Sequence, residues 1–199
     1  MKIIDDLFKN LTEYNENLGI IEINGRSYRI KTDTNPSVIL GQSFGANYDE
    51  NSYNQILAES VIDARKYFGN DLAVIAQSEI GECLNKYGEF RYHSIGEVYE
   101  NDENSTIVSK IDSQGVLLQA KEVLKKRNLD KEKVIYIAHP AHIYRVMKIG
   151  EKIGFNGAPF IPEIVCWPSE DLQPWVRSPY LWVPREIATR VHHKIKGIM

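Results

Sequence analysis

Apolar residues Ile3, Ile4, Leu7, Phe8, Leu11 and Tyr14 recur three and four positions apart, the spacing of one helical stripe, and predict a helix over residues 2–16. Two short alternating runs then flank Asn24-Gly25 in IIEINGRSYRI. Asn-Gly favours a type I′ turn because both positions need positive φ, so this segment reads as a β-hairpin. The chain then changes character. SVILG (37–41), LAVIA (72–76) and VIYIA (134–138) are short runs without alternation, the pattern of strands covered on both faces. Helical stripes separate them: Ile56, Leu57, Val61, Ala64 and Phe68, then Val116, Leu117, Ala120, Val123 and Leu124, ending near Arg127-Asn128. A further helix is expected from Pro140 to about Ile153, and a last one in PREIATRVHHKIKGIM, with Pro184 in its first turn. Residues 77–110 are polar and give no clear element. Residues 155–183 hold five prolines and three tryptophans and read as irregular structure with room for one strand.

Strands that alternate with helices need crossover connections, which are nearly always right-handed. The expected fold is therefore α/β: a Rossmann-like three-layer α/β/α sandwich with a mainly parallel sheet. One domain is expected over 1–199, with residues 36–199 as the body and the helix and hairpin of residues 1–32 as an attached extension. A chain of 199 residues fits one domain and hides roughly 70% of its unfolded surface on folding. A net charge of -3 argues against a dedicated nucleic-acid binder but leaves room for a local basic pocket. Cys83 and Cys166 are too few for a disulfide scaffold, which suits idle thiols in a reducing compartment. The N-terminal stretch carries Asp5, Asp6 and Glu13 among its apolar residues and has no long apolar run or small-residue cleavage site, so no signal peptide is expected, and no run approaches the length of a membrane span. The expected location is cytoplasmic, with no membrane partner.

In an open parallel sheet, ligands bind beyond the carboxyl ends of the strands. That rule directs attention to Gly41-Gln42-Ser43-Phe44-Gly45, to Gln77-Ser78-Glu79 and to His139-Pro140-Ala141-His142, which follow the three apolar runs. In the first group, glycines let backbone N–H groups approach an anion, and Gln42 and Ser43 add donors. It is neither GxGxxG nor a Walker A loop. In the third, Pro140 marks a helix start and His139 its N-cap. His142 and Arg145 then share one face of the first turns. The N–H groups and dipole of a helix N-terminus attract anions, and Arg145 can grip a phosphate or carboxylate with two parallel hydrogen bonds. His142 is the candidate general acid/base or donor, with Glu79 as its catalytic companion; Gly41, Gln42, Ser43, Ser78, Asp112, His139 and Arg145 are the candidate ligand contacts. Asp112 or Ser113 can also cap the helix that follows and turn its N–H groups to the same place.

Bland readings stand beside these. GQSFG is also an ordinary tight turn, and His139, His142 and Arg145 can be a cap, a packed side chain and a surface cation. A zinc site at His139 and His142 lacks further ligands, and no metal is expected. A triad of Ser43 or Ser78 with His142 and Asp112 or Glu79 lacks a G-x-S-x-G elbow. The charged stretch 77–115 is a solvated surface or a ligand-covering loop. Trp167, Trp175 and Trp182 either line a pocket near Arg177 and Arg185 or pin the segment to the core. His192-His193 reads as surface.

SVILG, LAVIAQS and VIYIAHPAHIYRVMKIGEKIG, spaced by helices, resemble the YdcF/SanA-like family of bacterial proteins, over roughly residues 37–197. The strand followed by His142, Arg145 and Gly154, and the closing WVPREIA at 182–188, carry the resemblance. It implies a Rossmann-like fold and a nucleotide-like ligand such as S-adenosylmethionine. Two places depart from the family: Gln77-Ser78-Glu79 stands where a Gly-Gly pair is usual, and Asp112-Ser113-Gln114-Gly115 where Thr-x-Glu-Asn is usual. The functional expectation is a protein that binds a small anionic, nucleotide-like ligand at the sheet edge. The alternatives are a hydrolase or phosphatase using His142 as general acid/base, and a non-catalytic interaction module built on the N-terminal extension.

Overall fold

The computed structural model describes residues 18–50, 52–88, 91–102, 105–110, 112–129 and 133–199. The helix expected over 2–16 lies outside them. Asn24 and Gly25 take φ of 52° and 75°, so the chain reverses between β1 (Gly19–Ile23) and β2 (Arg26–Ile30) as the Asn-Gly pair predicts. The three apolar runs become β3 (Val38–Gly41), β4 (Ala73–Gln77) and β8 (Lys133–Ile137). The intervening stripes become α1 (Tyr53–Phe68), α3 (Ser113–Lys126) and α4 (Pro140–Lys152). Each helix starts on an acceptor. Ser52 takes the N–H of Gln55, Asp112 that of Gly115 and His139 that of Ala141.

The unreadable stretch after β4 holds α2 (Ser78–Asn85), β5 (His93–Ile95) and a separate hairpin, β6 (Glu97–Asp102) with β7 (Ser105–Lys110). The Pro-rich segment contributes β9 (Asn156–Pro162) and a 3-10 turn at Pro174–Val176 before α5 (Pro179–Ile195). Helix α5 starts earlier than the sequence suggested. Ser178 caps it, and Pro179 fills the first-turn position expected for Pro184, which lies inside the helix.

The sheet order is β1-β2-β9-β8-β3-β4-β5. Strands β9, β8, β3, β4 and β5 are mutually parallel, and β2 joins β9 antiparallel through Tyr28, Arg29 and Ile30. The sheet is therefore mixed, which corrects the reading of the hairpin as an appendage: it supplies two strands of the main sheet. Asp63 on α1 holds it there, accepting from Asn24 Nδ2 (2.5 Å), Arg26 Nε (2.8 Å) and Tyr28 Oη (2.6 Å). Burial alone would raise the Asp63 pKa, but these donors outweigh it and hold the carboxyl below its usual value.

Successive strand residues feed two apolar clusters, because side chains alternate across a strand. Ile39, Ala76, Ile135 and Ile137 pack with Leu57, Val61 and Ala64 of α1 and Ile80 and Leu84 of α2. Val38, Leu40, Ile75, Val134 and Tyr136 pack with Val116, Leu117 and Ala120 of α3 and Ile143, Val146 and Met147 of α4. The strands are covered on both faces, which is why they read as unbroken apolar runs. Among the described residues, no helix is long and apolar enough to cross a membrane.

Candidate anion-binding site

The carboxyl ends of β3 and β4 and the first turns of α3 and α4 border one cleft of about 150 Å³, closed on its remaining side by the Pro-rich segment and α5. Gln42, Ser43, Asp112, His142 and Arg145 line it, together with Gln77, Ser113, Trp175, Trp182 and Arg185. Gly41, Ser78, Glu79 and His139 do not. Gly41 is buried in β3 against Ile80 and Val61. Helix α2 begins directly at Ser78, so Ser78 and Glu79 turn back along it; Ser78 Oγ donates to Glu79 Oε2 at 3.1 Å. His139 is wholly buried beneath the cleft, stacked on Phe44 with centroids 3.7 Å apart. Tyr53 and Trp167 enclose its other sides, and its Nδ1 accepts the Ala141 N–H. Burial lowers its pKa to about 3, offset only by the Cys166 carbonyl, so it is a neutral cap.

The GQSFG loop does not offer the backbone cradle expected of it. The Gln42 N–H donates to the Ile137 carbonyl (2.8 Å), that of Ser43 to Gln77 Oε1 (3.1 Å) and that of Phe44 to Asn54 Oδ1 (2.8 Å). Those of Ala46 and Asn47 go to the Asp171 carboxylate, each at 3.1 Å. Asp171 also takes the Gln173 N–H at 2.7 Å, tying the loop to the Pro-rich segment. Gly45 fits this clamp with φ of 88°; a Cβ there would lie 2.8 Å from Asp171 Cγ. The loop shapes the cleft, and the backbone N–H groups of Gln42, Ser43 and Phe44 are already engaged.

The polar chemistry comes from α3, α4 and α5. Arg145 Nη2 donates to His142 Nδ1 at 2.9 Å, and His142 Nε2 lies 3.4 Å from Ser113 Oγ. Arg145 Nε faces Glu186 Oε2 at 3.2 Å, an ion pair too poorly aligned to be a hydrogen bond. Glu186 Oε1 accepts from Arg190 Nε at 2.9 Å. Arg185 stands at the mouth, its guanidinium 4.3 Å from the Trp175 ring and 5.9 Å from that of Trp182. Arg145 lies 5.9 Å from the Trp182 ring. Aromatic faces thus hold the cations without neutralising them. Arg145, Arg185 and Arg190 against Glu186 and Asp112, whose carboxylate also caps α3, leave one net positive charge. Burial, then the charges of Arg145, His139, Arg185 and Arg190, hold the His142 pKa well below the usual imidazole value.

His142 Nδ1 therefore meets a guanidinium where a catalytic triad has a carboxylate. Gln42 Oε1 and Trp182 Nε1 are buried without a partner among the described residues, and both residues line the cleft. His193, expected at the surface, is buried, because α5 lays its last turns against the body. Glu186 and Asp171 carried no site role in the sequence reading. The signal for Glu186 was its spacing of four from Arg190; Asp171 had none, since the loop N–H groups it clamps, Ala46 and Asn47, lie over 120 positions away. Among the described residues, no three His, Cys, Asp or Glu side chains are grouped to hold a metal ion. Comparison of the chain with protein-family models, curated proteins and solved structures finds no match.

Proposed function

We propose that the protein binds a small anionic ligand, the acidic part of a nucleotide-like molecule, in this cleft. The observation that carries the reading is the convergence of Arg145, Arg185, His142 and Ser113 from three helices on one cavity at the carboxyl edge of the sheet. The first turns of α3 and α4 meet at the same rim, their N-termini capped by Asp112 and His139. The enclosed volume of about 150 Å³ suits one compact anionic group, with the rest of the ligand beside Trp175 in the open mouth. We read the fold as a Rossmann-like three-layer sandwich of the YdcF/SanA-like kind, acting in the cytoplasm, and on that reading S-adenosylmethionine, which offers a carboxylate, is one candidate ligand.

A thermal-shift screen of phosphate monoesters, nucleotides, S-adenosylmethionine, sulfate and acetate tests the reading. At 100 times its Kd, a binding anion adds about 2.7 kcal/mol of stability. Arg185→Ala, at the exposed mouth, should remove most of that gain while leaving the free protein as stable as wild type. If no anion moves the melting temperature, the reading fails. Ser113 beside His142 also fits a hydrolase, but the guanidinium on Nδ1 opposes it.

A further inference from the structure

Resting on the anion-binding reading, we infer that Arg145, His142 and Ser113 form a one-way chain of hydrogen-bond donors, which makes the cleft a receptor for the doubly charged phosphate of a phosphate monoester, held without hydrolysis.

The direction of the chain follows from what each group can do. Arginine has donors and no acceptor. The 2.9 Å contact from Arg145 Nη2 can form only if His142 Nδ1 presents its lone pair. A neutral imidazole then carries its proton on Nε2, the nitrogen that faces Ser113 Oγ at 3.4 Å. The Ser113 oxygen accepts that proton, and its own O–H is left to point elsewhere, toward the cleft that Ser113 lines. In a serine nucleophile the order is reversed: imidazole accepts from the hydroxyl, and a carboxylate holds the other ring nitrogen. Here every member donates toward the cavity, and the imidazole has no lone pair left to take the hydroxyl proton. Arg145 is a positioning residue for His142, and Ser113 the group that meets the ligand.

The ligand class follows from the donors and the charge. Ser113 on α3 and Arg185 on α5 offer donors from different elements, with the charge of Arg145 on α4 behind them, which suits a tetrahedral group better than a planar carboxylate. Arg145, Arg185 and Arg190 against Glu186 and Asp112 leave one net positive charge, which holds the dianion of a phosphate monoester more strongly than its monoanion. The groups facing His142 are Arg145 and His139 on its own helix, Asp112 and Ser113 on α3, and Arg185, Glu186, Arg190 and His193 on α5. Burial first, and then the charges of Arg145, His139, Arg185 and Arg190, keep the imidazole neutral.

Two measurements on the full chain test this. In long-range proton–nitrogen correlation spectra, wild-type His142 should show the Nε2–H tautomer from pH 5.5 to 8. An Nδ1–H tautomer, or an imidazolium forming in that range, overturns the relay whether or not any ligand binds. In titration calorimetry, sulfate, which stays doubly charged, should bind with less than about twofold change over the same range. Glycerol phosphate, with a second pKa near 6, should weaken severalfold at the acid end and be recovered intact. Ser113→Ala should weaken both by about tenfold or more, and Ser113→Thr should restore them. Sulfate affinity that climbs in acid, or release of inorganic phosphate, overturns the proposal. If the tautomer is as stated but neither ion binds, the anion-binding reading fails, and the ligand assignment with it.

Discussion

Replacing Glu186 by Gln separates the two tasks given to the α5 carboxylate. Its side chain is 1% exposed and sits between Arg145, 7% exposed, and Arg190. Removing one partner of a buried ion pair costs about 3–5 kcal/mol, because the remaining charge stays desolvated. The amide oxygen of Gln can still accept from Arg190, which places Glu186→Gln near the lower end, at about 3 kcal/mol. For a chain of this size, each kcal/mol shifts the melting temperature by about 2–4 °C, so the free variant should melt about 6–12 °C lower. Anion affinity should move the opposite way. Loss of a neighbouring carboxylate relieves repulsion worth about 1.4 kcal/mol, a roughly tenfold gain in affinity. Urea unfolding in chloride and in saturating sulfate reads both effects. The stability gap between variant and wild type should narrow by about 1.4 kcal/mol when sulfate is present. A variant as stable as wild type without sulfate, or a gap that sulfate leaves unchanged, refutes the argument.

Gly45→Ala places a Cβ against Asp171 at a positive φ and should cost at least about 2 kcal/mol by urea unfolding, with anion binding weakened as the loop shifts; an unaffected variant would show that the Asp171 clamp is slack. Acid should destabilise the protein earlier than its carboxylates require. His139 and His142 are neutral in the fold, whereas the unfolded chain takes up protons below about pH 6.5, so stability is complete above that pH and declines as pH falls toward about 3. At pH 5.5 each histidine removes about 1.4 kcal/mol relative to pH 7.5, and equal unfolding free energies at the two pH values would contradict their neutral burial. Asp63→Ala should loosen the β1–β2 hairpin from α1, detected as faster amide exchange at Tyr28 and Ile30; unchanged protection there would mean that pairing with β9 suffices.

The parts of the fold that were legible in the sequence are those set by burial on both faces. SVILG, LAVIA and VIYIA could be read as strands because each is packed by helices above and below, and a twice-covered strand has no reason to alternate. Residues 78–85 were not legible, because α2 starts on the residue after β4 with no side-chain cap to announce it. The place of the hairpin was hidden for a different reason. Its turn is local chemistry, but its pairing with β9 joins residues 130 to 134 positions apart. The sheet-edge rule led to the right end of the strands and could not tell which way side chains would point there. Gln42, Ser43, His142 and Arg145 reach the cleft, whereas Ser78 and Glu79 are turned aside by their helix and His139 is drawn under Phe44. Phe44, Tyr53 and Trp167 pack around His139 under the cleft, and Trp182 packs against Phe44.

Titration of the ¹⁵N-labelled protein with glycerol phosphate, followed by amide chemical shifts, addresses the cleft directly. The largest changes should gather at residues 43–45, 112–116, 141–145 and 182–185, which lie far apart in the chain and meet only at this cavity. Shifts confined to other surfaces, or none at millimolar ligand, would contradict an anion site at the carboxyl edge of the sheet.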